Sequence, residues 1–179
     1  MTLEKAGTAL TLLDLFKIGI GITTTAAGAT VLFFRAFGTN RRLAKNLGRR
    51  IFIYCPPDAR RANGEIKDMK REVGVLKNSG YFKIDEIVTD FSVIEPKMIQ
   101  DAGIVVVGYD KSMSHFDELV DMVKQHNKPL VVYTFELGLR LTPEHEVLFN
   151  SYKWSTLSSM PLRLVSDIFA IMASFNYEK

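Results

Sequence analysis

The chain has 179 residues, of which 47% are hydrophobic and 24% are charged, and its formal net charge is +3. This length predicts one globular domain with an appendage, and the single cysteine, Cys55, excludes an intramolecular disulfide framework and is typical of a reducing compartment. The basic residues cluster beside one apolar segment, whereas a general nucleic-acid binder would spread them over a folded face, so no nucleic-acid partner is predicted.

The first element is the uncharged stretch of residues 18–34, IGIGITTTAAGATVLFF. As a helix it would be about 26 Å long, close to the roughly 30 Å hydrocarbon core of a bilayer. By the positive-inside rule, the basic residues that follow place the C-terminal part of the chain in the cytoplasm. We therefore expect residues 1–37 to form a single-pass transmembrane helix in the cell membrane. The basic residues are Arg35, Arg41, Arg42, Lys45, Arg49 and Arg50.

Three other interpretations of this stretch exist: a buried helix of a soluble protein, a surface-lying amphipathic helix and a cleaved signal peptide. A signal peptide carries its basic residues before the apolar stretch, and here they follow it. The consecutive threonines 23–25 leave no polar face for a surface-lying helix. Within a membrane helix, the small residues Gly21, Thr25 and Gly28 favour helix association, which predicts a homo-oligomer.

Residues 38–50 form a basic juxtamembrane segment that is predicted to bind anionic headgroups, so membrane lipids are predicted partners. Residues 51–179 then alternate strand and helix patterns. The predicted strands are residues 51–55, 83–91, 104–107, 130–135 and 154–157. The predicted helices are residues 65–77, 92–101, 114–127 and 144–152, and a last helix from Pro161 with Leu162, Val165, Phe169 and Met172 on its core face.

This alternation indicates an α/β domain with a five-stranded parallel sheet and helices on both faces. Right-handed crossovers leave few topologies, and the flavodoxin-type strand order 2-1-3-4-5 is favoured. In such sheets, ligands bind at the carboxyl ends of the strands near the switch point between strands 1 and 3. Here that position corresponds to residues 55–61 and 108–118.

Familiar cofactor motifs are absent from the sequence: it has no GxGxxG, no phosphate loop and no paired CxxC. The three histidines, His115, His126 and His145, lack metal-ligand spacing and are interpreted as surface residues. No metal site and no tightly bound cofactor are therefore predicted.

Two segments carry a resemblance to a known family. IFIYCPPD resembles the first strand of Toll/interleukin-1 receptor (TIR) domains, and GIVVVGYDKSMSHFDEL resembles their third strand and following helix. The resemblance covers about residues 50–175. It implies a TIR-like domain that acts through self-assembly in immune signalling or antiviral defence, with NAD or another nucleotide as its ligand.

Glu118 is the catalytic residue that this resemblance implies. In TIR domains that cleave NAD, the acid of this helix stabilises an oxocarbenium-like state as the N-glycosidic bond breaks, since a carboxylate offsets developing positive charge. Nucleoside deoxyribosyltransferase-like proteins also place a glutamate on this helix, which implies N-glycosidic chemistry at the same residue. The alternative is a solvated acid in the first helical turn beneath an N-cap at Ser114.

Residues near the strand ends are the predicted ligand contacts, and the two arginines among them are candidates for a phosphate or for a solvated face. Two functions follow: a membrane-anchored TIR-like effector that works by self-assembly and binds or cleaves NAD, or a membrane effector that a nucleotide messenger gates into a pore or a bilayer disruption. A membrane-tethered scaffold is the remaining possibility. The predicted ligand-binding residues are Pro56, Asp58, Arg60, Arg61, Tyr109, Ser112 and Ser114.

Overall fold

The computed structural model describes residues 41–57 and 68–177. The chain divides into two units, Met1–Arg41 and Arg42–Lys179, and nearly all described residues belong to the second. None of the helices within the two described stretches combines the length and the apolar composition of a membrane span. The predicted transmembrane segment, residues 18–34, lies outside those stretches, and so do Gly21, Thr25 and Gly28.

Five short strands form one sheet, and every neighbouring pair is parallel. β3 has the sequence IVVVG, and all of its residues are buried, as expected for a central strand covered on both faces. The strand order is β2-β1-β3-β4-β5, which confirms the order predicted from the sequence. The strands are β1 (Arg50–Tyr54), β2 (Lys83–Val88), β3 (Ile104–Gly108), β4 (Leu130–Tyr133) and β5 (Ser155–Ser158).

The helices alternate with these strands, as the sequence predicted. Three of them begin at a proline, which lacks the backbone N–H that a first helical turn leaves unbonded. The first begins later than predicted, at Lys70, because Met69 adopts a left-handed conformation with φ 56°. The helices are α1 (Lys70–Asn78), α2 (Pro96–Asp101), α3 (Phe116–Gln125), α4 (Pro143–Asn150) and α5 (Pro161–Ser174).

The sheet separates two hydrophobic cores, because successive side chains of a strand point to opposite faces. In β1, Phe52 and Tyr54 belong to the core beneath α2, α3 and α4, which also holds Phe116 and Leu119. Ile51 and Ile53 belong to the core beneath α1 and α5. The second core also holds Met69, Val73, Leu76, Leu164, Ile168 and Met172.

The predicted core face of α5 is partly wrong. Leu162 is 77% exposed and Phe169 is 37% exposed, whereas Leu164 and Ile168 are fully buried. The helix has apolar residues around most of its circumference, so periodicity alone allowed two faces. Packing on the sheet selects the one that places Leu164, Ile168 and Met172 inward.

The basic segment packs against the domain. Residues 41–47 are helical, and Leu47 lies against the second core. The Asn46 side-chain amide donates to the Phe175 carbonyl at 3.5 Å. The Arg49 guanidinium lies 4.1 Å from the centre of the Tyr177 ring. The segment is therefore attached to the strand-start end of the sheet, where β1 begins.

Candidate functional site

A cleft of about 730 Å³ opens at the carboxyl ends of β1, β2 and β3. It lies at the switch point of the strand order, where the sequence analysis placed the ligand. We refer to it as the strand-end cleft. Its lining comprises Tyr54, Pro56, Pro57, Thr89, Asp90, Phe91, Ser92, Ser112, Met113, Ser114 and His115.

The first wall of the cleft forms where β1 stops. The Cys55 amide donates to the Val88 carbonyl at 2.9 Å, which is the last bond of the β1–β2 ladder. Pro56 and Pro57 follow and cannot donate, so the backbone leaves the sheet at this point. The predicted ligand residue Pro56 therefore lies at the mouth of the cleft.

Two turns of the same kind follow β2 and β3. After β2, the Asp90 carboxylate accepts from the Ser92 amide at 2.9 Å and from the Ser92 hydroxyl at 2.8 Å. After β3, Asp110 accepts from the Ser112 amide at 3.0 Å and from the Ser112 hydroxyl at 2.6 Å. Asp90 belongs to the cleft lining together with its serine, whereas at the second turn only Ser112 does.

The hydrogen bonds from Ser92, first from its hydroxyl and then from its amide, lower the pKa of Asp90. The carboxylate is consequently ionised at neutral pH. Burial, with the neighbouring Cys55 and Asp90, raises the pKa of the Tyr54 phenol. Tyr54 therefore stays protonated and remains a hydrogen-bond donor. The described part of the cleft thus combines the negative charge of Asp90 with several hydroxyl groups.

An aromatic column crosses the cleft. The Tyr54 and Phe91 rings meet edge to face at 6.0 Å between centroids. The Phe91 and His115 rings are stacked at 4.4 Å with an interplanar angle of 5°. The His115 side chain is 46% exposed, so part of the column is open to solvent. Such a column offers a platform for a further planar ring.

Glu118, the predicted catalytic residue, lies just outside the cleft. Its side chain is 66% exposed, and its Oε1 is 3.4 Å from Nδ1 of His115. The adjacent acid, Asp117, faces away to His145, at 3.8 Å between Oδ1 and Nε2. His115 is a lining residue and Glu118 is not. A glutamate in this position can orient the imidazole of His115.

Tyr109 is placed in the core. It is fully buried, its hydroxyl is 2.9 Å from Nδ1 of His145, and the same oxygen accepts from the Thr142 amide at 3.1 Å. These contacts attach the start of α4 to the end of β3. The predicted ligand contact at Tyr109 is therefore separated from the strand-end cleft.

The structure brings Pro56, Ser112 and Ser114 together in the cleft and leaves Tyr109 apart. Asp58, Arg60 and Arg61 lie outside the described residues. The β2 loop supplies lining residues that the sequence analysis did not select, namely Asp90, Phe91 and Ser92. His115, which was interpreted as a surface residue, also lines the cleft. The sequence did carry one indication of this site: the pattern Asp-x-Ser follows two successive strands, as DFS after β2 and DKS after β3.

Within the described ranges, no group of histidine, cysteine, aspartate and glutamate residues is arranged to hold a metal ion. The sequence matches no protein-family model, and a search among curated proteins returns no match. The resemblance to TIR domains thus rests on the strand pattern and the two short segments quoted above.

Proposed function

We propose that this chain is a membrane-anchored TIR-like effector of signalling or defence whose cytoplasmic domain binds a nucleotide, such as NAD, and acts through self-assembly. The observation that carries the proposal is the strand-end cleft. Its position at the switch point is the usual ligand site of open parallel sheets. Its volume of about 730 Å³ suits a nucleotide-sized ligand.

Ligand binding is better supported than cleavage of the N-glycosidic bond. A carboxylate that stabilises an oxocarbenium-like state must lie where the charge develops. Glu118 is mostly exposed and does not line the cleft, whereas His115, which it contacts, does. We therefore assign His115 to ligand contact and Glu118 to the orientation of its imidazole.

A second candidate function is a membrane effector gated by a nucleotide messenger. It is favoured by the attachment of the basic segment to the domain through Asn46 and Arg49. Because that segment leads back to the predicted membrane helix, a ligand that shifts the packing of the domain would act on the helix. Such a ligand must bind the two states with different affinity.

Binding is tested on the full chain in detergent by thermal denaturation with NAD and with cyclic and linear nucleotides. A ligand at 100 times its Kd stabilises the folded state by about 2.7 kcal/mol, which raises the Tm measurably. Replacement His115→Ala is expected to reduce affinity on the order of ten-fold, since stacking contributes about 1–3 kcal/mol. The matched control is His126→Ala, at the opposite end of α3.

Three assays on the same preparation separate the alternatives. Release of nicotinamide from NAD that disappears in Glu118→Gln would restore the catalytic assignment of Glu118. Dye leakage from liposomes that depends on nucleotide would favour the gated effector. If NAD and every nucleotide tested leave the Tm unchanged, the proposed function is wrong.

A further inference from the structure

One oxygen of the Asp90 carboxylate accepts hydrogen bonds from Ser92, and the other can accept from a ligand. Both hydrogen bonds from Ser92 go to Oδ1, and no described residue bonds Oδ2. The side chain is exposed and lines the cleft. Because Ser92 fixes the carboxylate, a ligand that donates to Oδ2 meets an acceptor that is already oriented.

The charge of Asp90 disfavours a phosphate beside its carboxylate. The described part of the lining contains Asp90 and neither lysine nor arginine. An ionised carboxylate repels a phosphate group, whereas it accepts strong hydrogen bonds from neutral hydroxyl groups. The Ser92 and Ser112 hydroxyls donate to Asp90 and Asp110 and add acceptors for a ligand. The Ser114 hydroxyl adds a donor and an acceptor. This part of the cleft therefore fits a sugar with adjacent hydroxyls.

The residue after Asp90 belongs to the aromatic column. Phe91 follows Asp90 directly and stacks on His115 with nearly parallel rings. His115 is about half exposed, so a planar ring can extend the stack over it. A ligand with a planar base one bond away from a hydroxylated sugar matches this arrangement.

The position of Asp90 in the fold agrees with this chemistry. It lies just after β2, the neighbour of β1 in the sheet. In dinucleotide-binding α/β folds, an acid about 20 residues after the glycine-rich turn that follows the first strand hydrogen-bonds the ribose 2′-OH. The separation from the end of β1 at Tyr54 to Asp90 is longer than that here. This chain lacks the glycine-rich motif of those folds, so the carboxylate is the feature that it shares with them.

We infer that the strand-end cleft holds a ribonucleoside subsite in which Asp90 accepts hydrogen bonds from the ribose hydroxyls and the Phe91–His115 pair stacks on the base. The inference rests on the proposed nucleotide-binding function and specifies which half of the nucleotide lies here. It also predicts discrimination between ribose and 2′-deoxyribose.

The test is isothermal titration of the full chain in detergent with adenosine, guanosine, cytidine and uridine, each beside its 2′-deoxy counterpart, and with NAD. The best-bound ribonucleoside is expected to bind on the order of ten-fold more tightly than its 2′-deoxy form, as for a hydrogen bond to a charged group. Asp90→Asn is expected to bring this ratio close to one. His115→Ala should weaken both forms alike, because it acts on the base.

Asp110→Asn is the matched control, because Asp110 makes the same turn with Ser112 and is not a lining residue. It is expected to keep the wild-type ratio. The ratio is measured within each variant, so a change in the folded fraction does not alter it. Equal binding of the two sugars by the wild type, or an unchanged ratio in Asp90→Asn, overturns the ribose subsite and leaves nucleotide binding in place. If NAD and all the nucleosides fail to bind, and the cyclic and linear nucleotides also leave the Tm unchanged, the proposed function fails with it.

Discussion

The two ends of the sheet are built differently. At the strand-end edge, β1 and β2 separate into loops and leave a cleft lined by hydroxyl and aromatic groups. At the strand-start end, the basic segment and the C-terminal residues pack together and leave a smaller cavity of about 450 Å³. The Phe175 ring packs against Trp154 at 4.9 Å and against Tyr177 at 4.7 Å, and Arg49 lies over Tyr177.

The two ends of the sheet also differ in how far their side chains are exposed to water. Burial raises the pKa of Tyr177, and burial together with the nearby Arg49 lowers the pKa of Lys128. Both shifts report a desolvated environment at the strand-start end. At the cleft, by contrast, Asp90 is solvated and its lowered pKa comes from hydrogen bonds. The preceding chain thus joins the domain at the strand-start end, and the proposed ligand site lies at the opposite end of the sheet.

The largest expected effect on stability comes from two glycines at opposite ends of β3: Gly103 precedes the strand, and Gly108 is its last residue. A Cβ at Gly103 would overlap the Cβ of Arg49, which cannot move without its backbone. A Cβ at Gly108 would meet Cys55 Sγ at 2.9 Å, Met69 Sδ at 2.9 Å and Phe135 Cζ at 3.0 Å, which are side-chain ends.

We therefore expect Gly103→Ala to lower the free energy of unfolding by about 2–3 kcal/mol and Gly108→Ala to lower it by about 1–2 kcal/mol, as for overpacked cores. Urea denaturation of both variants measures the two values. A larger loss for Gly108→Ala would show that the strand-start end is the more adaptable of the two.

Much of the fold could be predicted from the sequence. The apolar runs IFIYC, IVVV and LVVY are bounded by glycine, proline or polar residues, and right-handed crossovers reduce the possible strand orders to a few. The position of the cleft followed from that order. The core face of α5 was predicted less well. Apolar residues lie on two faces of this helix, so their spacing does not indicate which face packs on the sheet.

The composition of the cleft was harder to predict than its position. Ser112 and Ser114 were selected because they follow the central strand, and they do line the cleft. Asp90 and Phe91 were missed because the second strand was predicted to extend over residues 83–91, whereas β2 ends at Val88. The Phe91–His115 stack joins residues that are distant in sequence, so no local pattern indicates it.

A smaller effect on stability is expected from a change at Tyr152, which lies at the strand-start end of the sheet. Its hydroxyl donates to the Lys128 carbonyl at 2.8 Å, and burial raises its pKa from 10.0 to about 12. A folded-state pKa above the unfolded value means that the fold favours the neutral phenol. This contribution is complete below about pH 10 and is lost as the pH rises through about 12.

Tyr152→Phe is expected to cost about 0.5–1.5 kcal/mol near neutral pH through the lost hydrogen bond. The difference from the wild type should shrink as the pH rises above about 10. Urea denaturation of the two proteins at about pH 8 and about pH 11 measures this change. A difference that stays constant with pH would show that Tyr152 is as solvated as the cleft residues.

Ser92→Ala is expected to have the smallest effect on stability. It is also the most direct test of the Asp90 environment in the cleft. The Ser92 hydroxyl is the main cause of the lowered pKa of Asp90, so its removal should raise that pKa toward the ordinary value. The turn is exposed, so the change in unfolding free energy should stay within about 0.5 kcal/mol. The pKa is measured by NMR titration of the Asp90 side-chain carboxyl carbon.

Ser112→Ala is the paired control, because it removes the equivalent hydroxyl from the Asp110 turn and should leave the Asp90 titration unchanged. A protonated carboxyl is a poorer acceptor for ribose hydroxyls than a carboxylate. On lowering the pH, the Ser92→Ala variant should therefore lose any ribose preference at a higher pH than the wild type. Loss at the same pH in both proteins would mean that a group other than Asp90 contacts the sugar.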